Sequence, residues 1–144
     1  MSVRQTCSIE SAAKMNPEAK VYLLHSCPFD LETQITARQL LYYPNVKFWT
    51  MSLENLMADV NPHSCDMTVH TSQTFFPVAY WEWKMLFNDS DEKDVEERIK
   101  NSFGVHIWNK LSFEEKVYPG SKQPYSTLAD EFCPLAYSTA GEFF

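Results

Sequence analysis

Helix-like and strand-like segments alternate over the first 60 residues, and this alternation constrains the fold more than any other feature of the sequence. Two segments predict strands, KVYLLHS and NVKFWTM. Three predict helices: TCSIESAAKMN, capped by Thr6 or Ser8; DLETQITARQLLYY, capped by Asp30; and SLENLMAD, capped by Ser52. Strands that alternate with helices form parallel sheets covered by helices, as in nucleotide-binding α/β folds. Residues 1–60 therefore predict half of such a sheet.

The alternation of helix-like and strand-like segments stops near residues 60–66, and the amino-acid composition changes there. Aromatic residues crowd into TFFPVAYWEWKMLF, followed by an acidic helix, SDEKDVEERIKN, with Ser90 as its cap. FGVHIW predicts a strand, and PYSTLADEFCPLAY predicts a last helix that ends at Cys133-Pro134. The sequence thus predicts an α/β part in residues 1–60 and an aromatic-rich C-terminal block in residues 61–144.

Composition and charge exclude several classes of protein. With 144 residues, 44% of them hydrophobic, the chain is long enough for one packed domain. The net charge is -7 and the sequence contains no basic run, so it predicts no basic surface that would attract the phosphates of nucleic acid. SVRQTCSIES after Met1 contains no signal-peptide core, and no stretch is apolar enough for a membrane span, so the expectation is a cytoplasmic protein if the chain is expressed as written.

Four cysteines stand far apart at positions 7, 27, 65 and 133, without a CxxC pair. This spacing disfavours a zinc site or a redox-active dithiol. Four buried thiols are the plainest interpretation, although the redox state stays open.

A single histidine, His106, interrupts the apolar run of SFGVHIWNK. From its chemistry alone, it is either a hydrogen-bonded core residue on a strand or a metal ligand, and the first interpretation is the commoner.

Three ordered blocks resemble the α1,4-glycosyltransferases of the secretory pathway, a family of lactosylceramide 4-α-galactosyltransferases and α1,4-N-acetylglucosaminyltransferases. The blocks are RQTCSIESAAKMNP with KVYLLHS and YPNVKF; FFPVAYWEWKMLF with SFGVHIWNKLS; and PYSTLADEFCPLAY. The pattern of FFP, then W-x-W-K, then VHxWN is the most specific part of the resemblance.

The resemblance implies a GT-A (Rossmann-like) α/β fold and a Golgi enzyme. Such an enzyme transfers galactose or N-acetylglucosamine from a UDP-sugar to a glycolipid or glycan acceptor, with retention at the anomeric carbon. It also implies Mn²⁺, which would stabilise the charge that develops on the leaving UDP. By the same resemblance, His106 would be a metal ligand, Trp108, Asn109 and Lys110 would contact donor or acceptor, and Cys65 and Cys133 would form a disulfide.

One departure from the family pattern concerns the metal site. Members of the family carry a central GG-x-Y-x-D-x-D stretch whose aspartates hold the metal and the donor, whereas here only VNPHSCD separates SLENLMAD from the C-terminal block. The Asp-x-Asp at Asp89 to Asp91 does not replace it, because it opens a charged helix rather than following a strand. The expectation is a partial GT-A fold and a catalytically incomplete chain, or else a non-catalytic fragment or binding module.

Two further motifs have ordinary interpretations. Trp81 and Trp83 are expected to pack rather than to stack on sugar. Asn88-Asp89-Ser90 is an N-glycosylation sequon, which has meaning only in the secretory lumen.

Overall fold

The computed structural model describes residues 1–25, 31, 34–50 and 70–144. Several sequence predictions lie outside these residues: the Asp30 cap, the helix in SLENLMAD and the break at 60–66. Cys27 and Cys65 also lie outside them.

The first helix, α1 (Val3–Met15), begins earlier than the sequence pattern suggested. Ser2 is its N-cap, and Ser2 and Gln5 form a capping box in which each side chain accepts a hydrogen bond from the other residue's backbone N–H. The predicted caps, Thr6 and Ser8, are wrong, since both lie inside the helix and Thr6 is buried. The sequence did contain this signal, because Ser2 and Gln5 form a Ser-x-x-Gln pattern directly before the predicted segment, which begins at Thr6.

Two parallel strands confirm the predicted sheet. β1 (Val21–His25) pairs with β2 (Val46–Thr50) from Val21↔Val46 to His25↔Thr50. Between them lie a short helix, α2 (Ile35–Arg38), and a 3₁₀ turn (Gln39–Tyr42), which together replace the one helix predicted there. The α/β class is therefore observed, in the form of one parallel strand pair with helices.

Only one face of this sheet is covered by the described residues. Val21, Phe48 and buried Val46 pack with Ala13 of α1 and Leu40 in a small core. The opposite face leaves three large side chains exposed: Tyr22, Leu24 and Trp49. Strands that are apolar on both faces are typical of parallel sheets covered on both sides, and an exposed apolar face of this kind favours association.

The described part of the C-terminal block, residues 70–144, is rich in short helices. It contains 3₁₀ helices at Ser72–Thr74, Tyr80–Phe87 and Asp89–Asp91, followed by α3 (Glu92–Ile99), α4 (Asn109–Ser112), α5 (Pro124–Phe132) and α6 (Pro134–Ser138). The acidic helix α3 is confirmed, with Val95 fully buried and Ile99 packed on the same core. Its predicted Ser90 cap is wrong: Asp91 is the N-cap residue and makes no side-chain capping bond.

The segment PYSTLADEFCPLAY forms the predicted helix and a second helix that was not predicted. Cys133-Pro134 ends α5 as expected, but Pro134 then begins α6. Proline lacks an N–H, which the first helical position does not need, so the residue that stops one helix also starts the next.

The predicted strand FGVHIW is wrong, because no strand of the described chain pairs with it. Its alternation is retained, since Val105 and Ile107 face the large core while His106 is exposed. Two of its backbone groups have partners outside any sheet: the Phe103 N–H donates to the carbonyl of Thr74 at 2.8 Å, and Ser112 Oγ donates to the carbonyl of Ile107 at 2.8 Å.

Helix α1 belongs to the predicted 1–60 part, yet it packs against the C-terminal block. A disulfide joins Cys7 to Cys133, with their Cα atoms 4.9 Å apart. This pairing corrects two expectations, the buried thiol at each of these positions and the disulfide between Cys65 and Cys133. The division at residue 60 stays a prediction.

Arg4 provides a second connection between α1 and the C-terminal block. Its guanidinium donates to the carbonyls of Ser112 (2.9 Å), Glu115 and Phe144 (3.2 Å). It also lies over the ring of Tyr125, 5.6 Å from the centroid. Both connections complete the large core, which includes Cys7, Val78, Leu86, Val95, Val117, Tyr125 and Cys133.

Among the residues described, no helix is both long and apolar enough to cross a bilayer.

Candidate functional site

His106 lies on the surface rather than in the core, so the interpretation of a buried core histidine is wrong. Its Nδ1 accepts a hydrogen bond from the backbone N–H of Trp108 at 3.0 Å. A neutral imidazole that accepts at Nδ1 carries its proton on Nε2. The ring therefore presents an N–H donor to solvent.

Trp108 adopts a left-handed backbone conformation, with φ 52° and ψ 46°, at the N-terminus of α4. This region disfavours bulky L-residues, and such strain persists only where the surroundings enforce it. Here the Trp108 indole N–H donates to the carbonyl of Val78 at 3.0 Å, and the ring lies 4.2 Å from that of His106. The side-chain contacts thus hold a turn that redirects the chain directly after His106.

Asn109 and Lys110 follow in the first turn of α4, and both are exposed. Within the described part of the chain, neither side chain makes a hydrogen bond or an ion pair. An amide and an ammonium group are thus exposed on the two residues that directly follow Trp108.

Five aromatic side chains form a connected group at this surface, which we call the ring cluster: Phe76, Tyr80, Trp81, His106 and Trp108. Phe76 lies 5.5 Å from His106 and 5.7 Å from Trp108, measured between ring centroids. Tyr80 lies 6.2 Å from Trp108 and 5.3 Å from Trp81. The 3₁₀ helix Tyr80–Phe87 positions this cluster, because its last turn buries Leu86 in the core while its first turn faces solvent.

Sequence reasoning missed three members of the ring cluster. Phe76 and Tyr80 received no role, and the expectation that Trp81 packs is wrong, since its side chain is 74% exposed. Trp83 is partly buried against Phe87 at 5.9 Å, which agrees with packing. The sequence did contain a signal: aromatic residues in FFPVAYWEW are too closely spaced for all of them to face one core.

The described residues do not fit the manganese ion that the resemblance implies. No three His, Cys, Asp or Glu side chains converge in the described ranges, and a divalent ion needs several ligands. His106 could bind a metal through Nε2 only in its other tautomer, which would break the hydrogen bond from Trp108.

Asn88, the sequon asparagine, is exposed at the C-terminal end of the Tyr80–Phe87 helix. Its Nδ2 donates to Ser90 Oγ at 2.9 Å and to Asp91 Oδ2 at 2.8 Å. Asp89 to Asp91 form a 3₁₀ turn that leads into α3, which confirms that this Asp-x-Asp begins a charged helix.

A family model matches residues 49–140, a span that includes the ring cluster. The model describes the alpha 1,4-glycosyltransferase conserved region. The chain belongs to this family of transferases.

Curated relatives agree with this assignment. Lactosylceramide 4-alpha-galactosyltransferase of Mus musculus is 26% identical over 76 residues, which are 52% of this chain and 21% of the relative. The Homo sapiens enzyme is 24% identical over 71 residues, 49% of this chain and 20% of the relative. The matched part therefore covers about a fifth of these relatives. No solved structure matches the chain.

Proposed function

We propose that the chain serves in α1,4-linked hexose transfer, in which galactose or N-acetylglucosamine passes from a UDP-sugar to a glycolipid or glycan acceptor with retention at the anomeric carbon. The family match over residues 49–140 carries this proposal. Two relatives bear lactosylceramide and galactosyl transfer in their names, which favours a galactose-ended acceptor. The parallel strand pair with its helices is compatible with a GT-A origin.

The exposed polar groups beside the ring cluster suit the donor phosphates. In this proposal Lys110 attracts the pyrophosphate as a point charge, and the amide of Asn109 hydrogen-bonds a phosphate or sugar oxygen. His106 donates through Nε2–H, a role that keeps its Nδ1 bond to Trp108 intact. All three groups would act by binding and orienting substrate.

A second candidate function is binding without turnover. One observation favours it: the described residues form no group of metal ligands, while the ring cluster and Lys110 are open to solvent. Hence we propose that the chain alone is catalytically incomplete and retains a sugar-nucleotide and acceptor surface, with any Mn²⁺ dependence requiring groups beyond those described.

A transfer assay combined with a binding assay tests both candidates. We expect the purified chain, incubated with UDP-galactose or UDP-N-acetylglucosamine, lactosylceramide and Mn²⁺, to give no product above a protein-free blank. UDP-galactose should still bind, and Lys110→Ala should raise its Kd up to about fivefold, because a solvated charge pair contributes up to about 1 kcal/mol.

Lys93→Ala is the matched control, because Lys93 is also an exposed helical lysine but lies on α3. Equal losses of UDP-galactose binding in both variants would argue against a local phosphate contact. Robust transfer by the parent chain would overturn catalytic incompleteness, and robust transfer that His106→Ala leaves unchanged would remove His106 from the site.

The disulfide bears on localisation. Structural disulfides form and persist in oxidising compartments, and the pair Cys7–Cys133 is buried. An exposed sequon at Asn88 fits the same environment. We therefore propose residence in the secretory lumen, at the Golgi, in place of the cytoplasmic expectation.

Asn88 provides a direct test of this localisation. When the chain is directed to the secretory lumen, we expect one N-glycan on Asn88. The glycan replaces one of the two hydrogens on Asn88 Nδ2, so one of the two side-chain hydrogen bonds can still form. The measurement is the gel mobility before and after glycosidase digestion, with Asn88→Gln as the unmodified reference. An identical digestion shift in Asn88→Gln would place the glycan elsewhere.

A further inference from the structure

Trp81 and Tyr80 form the most exposed part of the ring cluster. Their exposed fractions are 74% and 57%, and their ring planes meet at 83°. Burial of an aromatic side chain normally stabilises a fold, and these two residues gain little of that stabilisation because both are largely exposed. Contiguous exposed apolar surface of this kind marks an interaction site.

Polar groups on these two rings and on His106, another member of the ring cluster, define the chemistry of the partner. The Tyr80 hydroxyl, the Trp81 indole N–H and the His106 Nε2–H have no hydrogen-bond partner within the described part of the chain. A hydrocarbon chain would leave such groups unpaired, whereas a sugar offers hydroxyls to each of them. Aromatic faces carry partial negative charge, which attracts the polarised C–H groups on one face of a hexose ring.

We propose that Trp81 and Tyr80 are the stacking surface for the terminal hexose, a galactose, of the acceptor. This inference rests on the proposed function, because the transfer reaction supplies the galactose-ended acceptor. The indole face of Trp81 contacts the apolar face of the sugar, and the phenol of Tyr80 borders it at a steep angle. His106 Nε2–H donates to a sugar hydroxyl at the other end of the ring cluster.

Trp108 is a positioning residue in this arrangement. Its indole N–H is already bonded to the Val78 carbonyl, and its ring contacts Phe76, His106 and Tyr80. It therefore fixes the spacing between Tyr80 and His106 rather than offering a free polar group to the sugar. This distinguishes it from Trp81, whose ring contacts, among the described residues, only that of Tyr80.

Lactose, a soluble galactose-ended disaccharide, is the probe. We expect the chain to give a saturation-transfer NMR signal to the galactose C–H protons. Trp81→Ala should weaken lactose affinity about tenfold, and Trp81→Phe, which keeps an aromatic face, should stay within about threefold of the parent. Since Trp81 is so exposed, both variants should keep the parent thermal midpoint, which is measured alongside.

Trp49→Ala is the matched control. Trp49 is 54% exposed and contacts Tyr22 at 5.5 Å, so it is another surface Trp–Tyr pair, placed on the sheet. Its loss should leave lactose affinity unchanged. An equal loss in Trp49→Ala, or no loss in Trp81→Ala, would overturn the proposal, as would absence of lactose binding by the parent chain.

Phosphatidylcholine vesicles without glycolipid test the rival occupant, a membrane surface. Vesicle binding that depends on Trp81 and that lactose does not compete would overturn the sugar site. The experiments distinguish failure of the transfer proposal from failure of the stacking proposal. Lactose binding that depends on Trp81, without any hexose transfer, would contradict the transfer proposal and support the stacking surface. Hexose transfer with an acceptor KM that Trp81→Ala leaves unchanged would support the transfer proposal and overturn the stacking surface.

Discussion

Replacing Cys7 and Cys133 together by alanine is expected to lower the free energy of unfolding by about 3–5 kcal/mol. The bridge spans 126 residues of sequence, so its loss restores much conformational freedom to the unfolded chain. It also removes the covalent link between α1 and the start of α6. Urea unfolding under non-reducing conditions, compared between the parent and the double variant, measures the effect.

Peptide mapping without reduction separates this disulfide from the one that the resemblance implied. The parent chain and a Cys65→Ala variant should both yield the fragment that contains Cys7 joined to the fragment that contains Cys133. Recovery of a Cys65–Cys133 peptide from the parent would contradict the pairing. A double Cys7→Ala/Cys133→Ala variant as stable as the parent would show that the bridge does not stabilise the fold.

Replacing Glu10 by alanine is expected to have the second largest effect, a loss of about 3 kcal/mol. Glu10 is 1% exposed, and its carboxylate accepts from the backbone N–H groups of Leu135 (2.9 Å) and Ala136 (2.7 Å). These are orphan donors in the first turn of α6, whose own N-cap residue, Cys133, makes no side-chain capping bond. A carboxylate from α1 therefore caps a helix 125 residues away in sequence.

The same carboxylate accepts a third hydrogen bond, from the hydroxyl of Tyr43 at 2.9 Å. Burial raises the pKa of Tyr43 to about 12, with the Glu10 hydrogen bond and charge adding to the effect. In Glu10→Gln the charge is lost but the shape is kept. We expect a smaller loss, about 1.5–2 kcal/mol, and a Tyr43 pKa that falls yet stays above 10.0 because burial is the larger cause.

Thermal and urea unfolding measure the Glu10 variants, and absorbance titration measures the Tyr43 pKa. Glu18→Ala is the control, since Glu18 is exposed and follows α1; its change should stay within about 0.5 kcal/mol. An unfolding free energy in Glu10→Ala equal to that of Glu18→Ala would contradict the capping role. So would an unchanged Tyr43 pKa in Glu10→Gln.

Local sequence signals were sufficient where the interactions are local. The strand pair Val21–His25 and Val46–Thr50 followed from apolar runs bounded by turn residues, and α3 followed from its Val95 and Ile99 spacing. Pro134 was recognised as a helix stop, but its second role as a helix start depends on the conformation after Cys133. The FGVHIW segment had the strand pattern and failed as a strand, because strand formation needs a partner that sequence alone does not supply.

Recognition of the family also came from the sequence, through the order of FFP, W-x-W-K and VHxWN, and the match over residues 49–140 confirms it. The residues of SFGVHIWNK were found in this way, but their environment was not. An apolar run around His106 indicated burial, whereas the turn at Trp108 directs the ring outward. The exposure of Trp81 likewise depends on which turn of its 3₁₀ helix meets the core.

The sequence by itself determined the α/β class, the two strands, the acidic helix and the family, because each of these depends on residues that are close in the chain or on an ordered pattern of motifs. Only the tertiary structure decided the partner of Cys133, the acceptors of Arg4, the helix that Glu10 caps and the rings that surround His106. Each of those pairings joins residues far apart in sequence. Their geometry exists only after the chain has packed, when α1 reaches the C-terminal block.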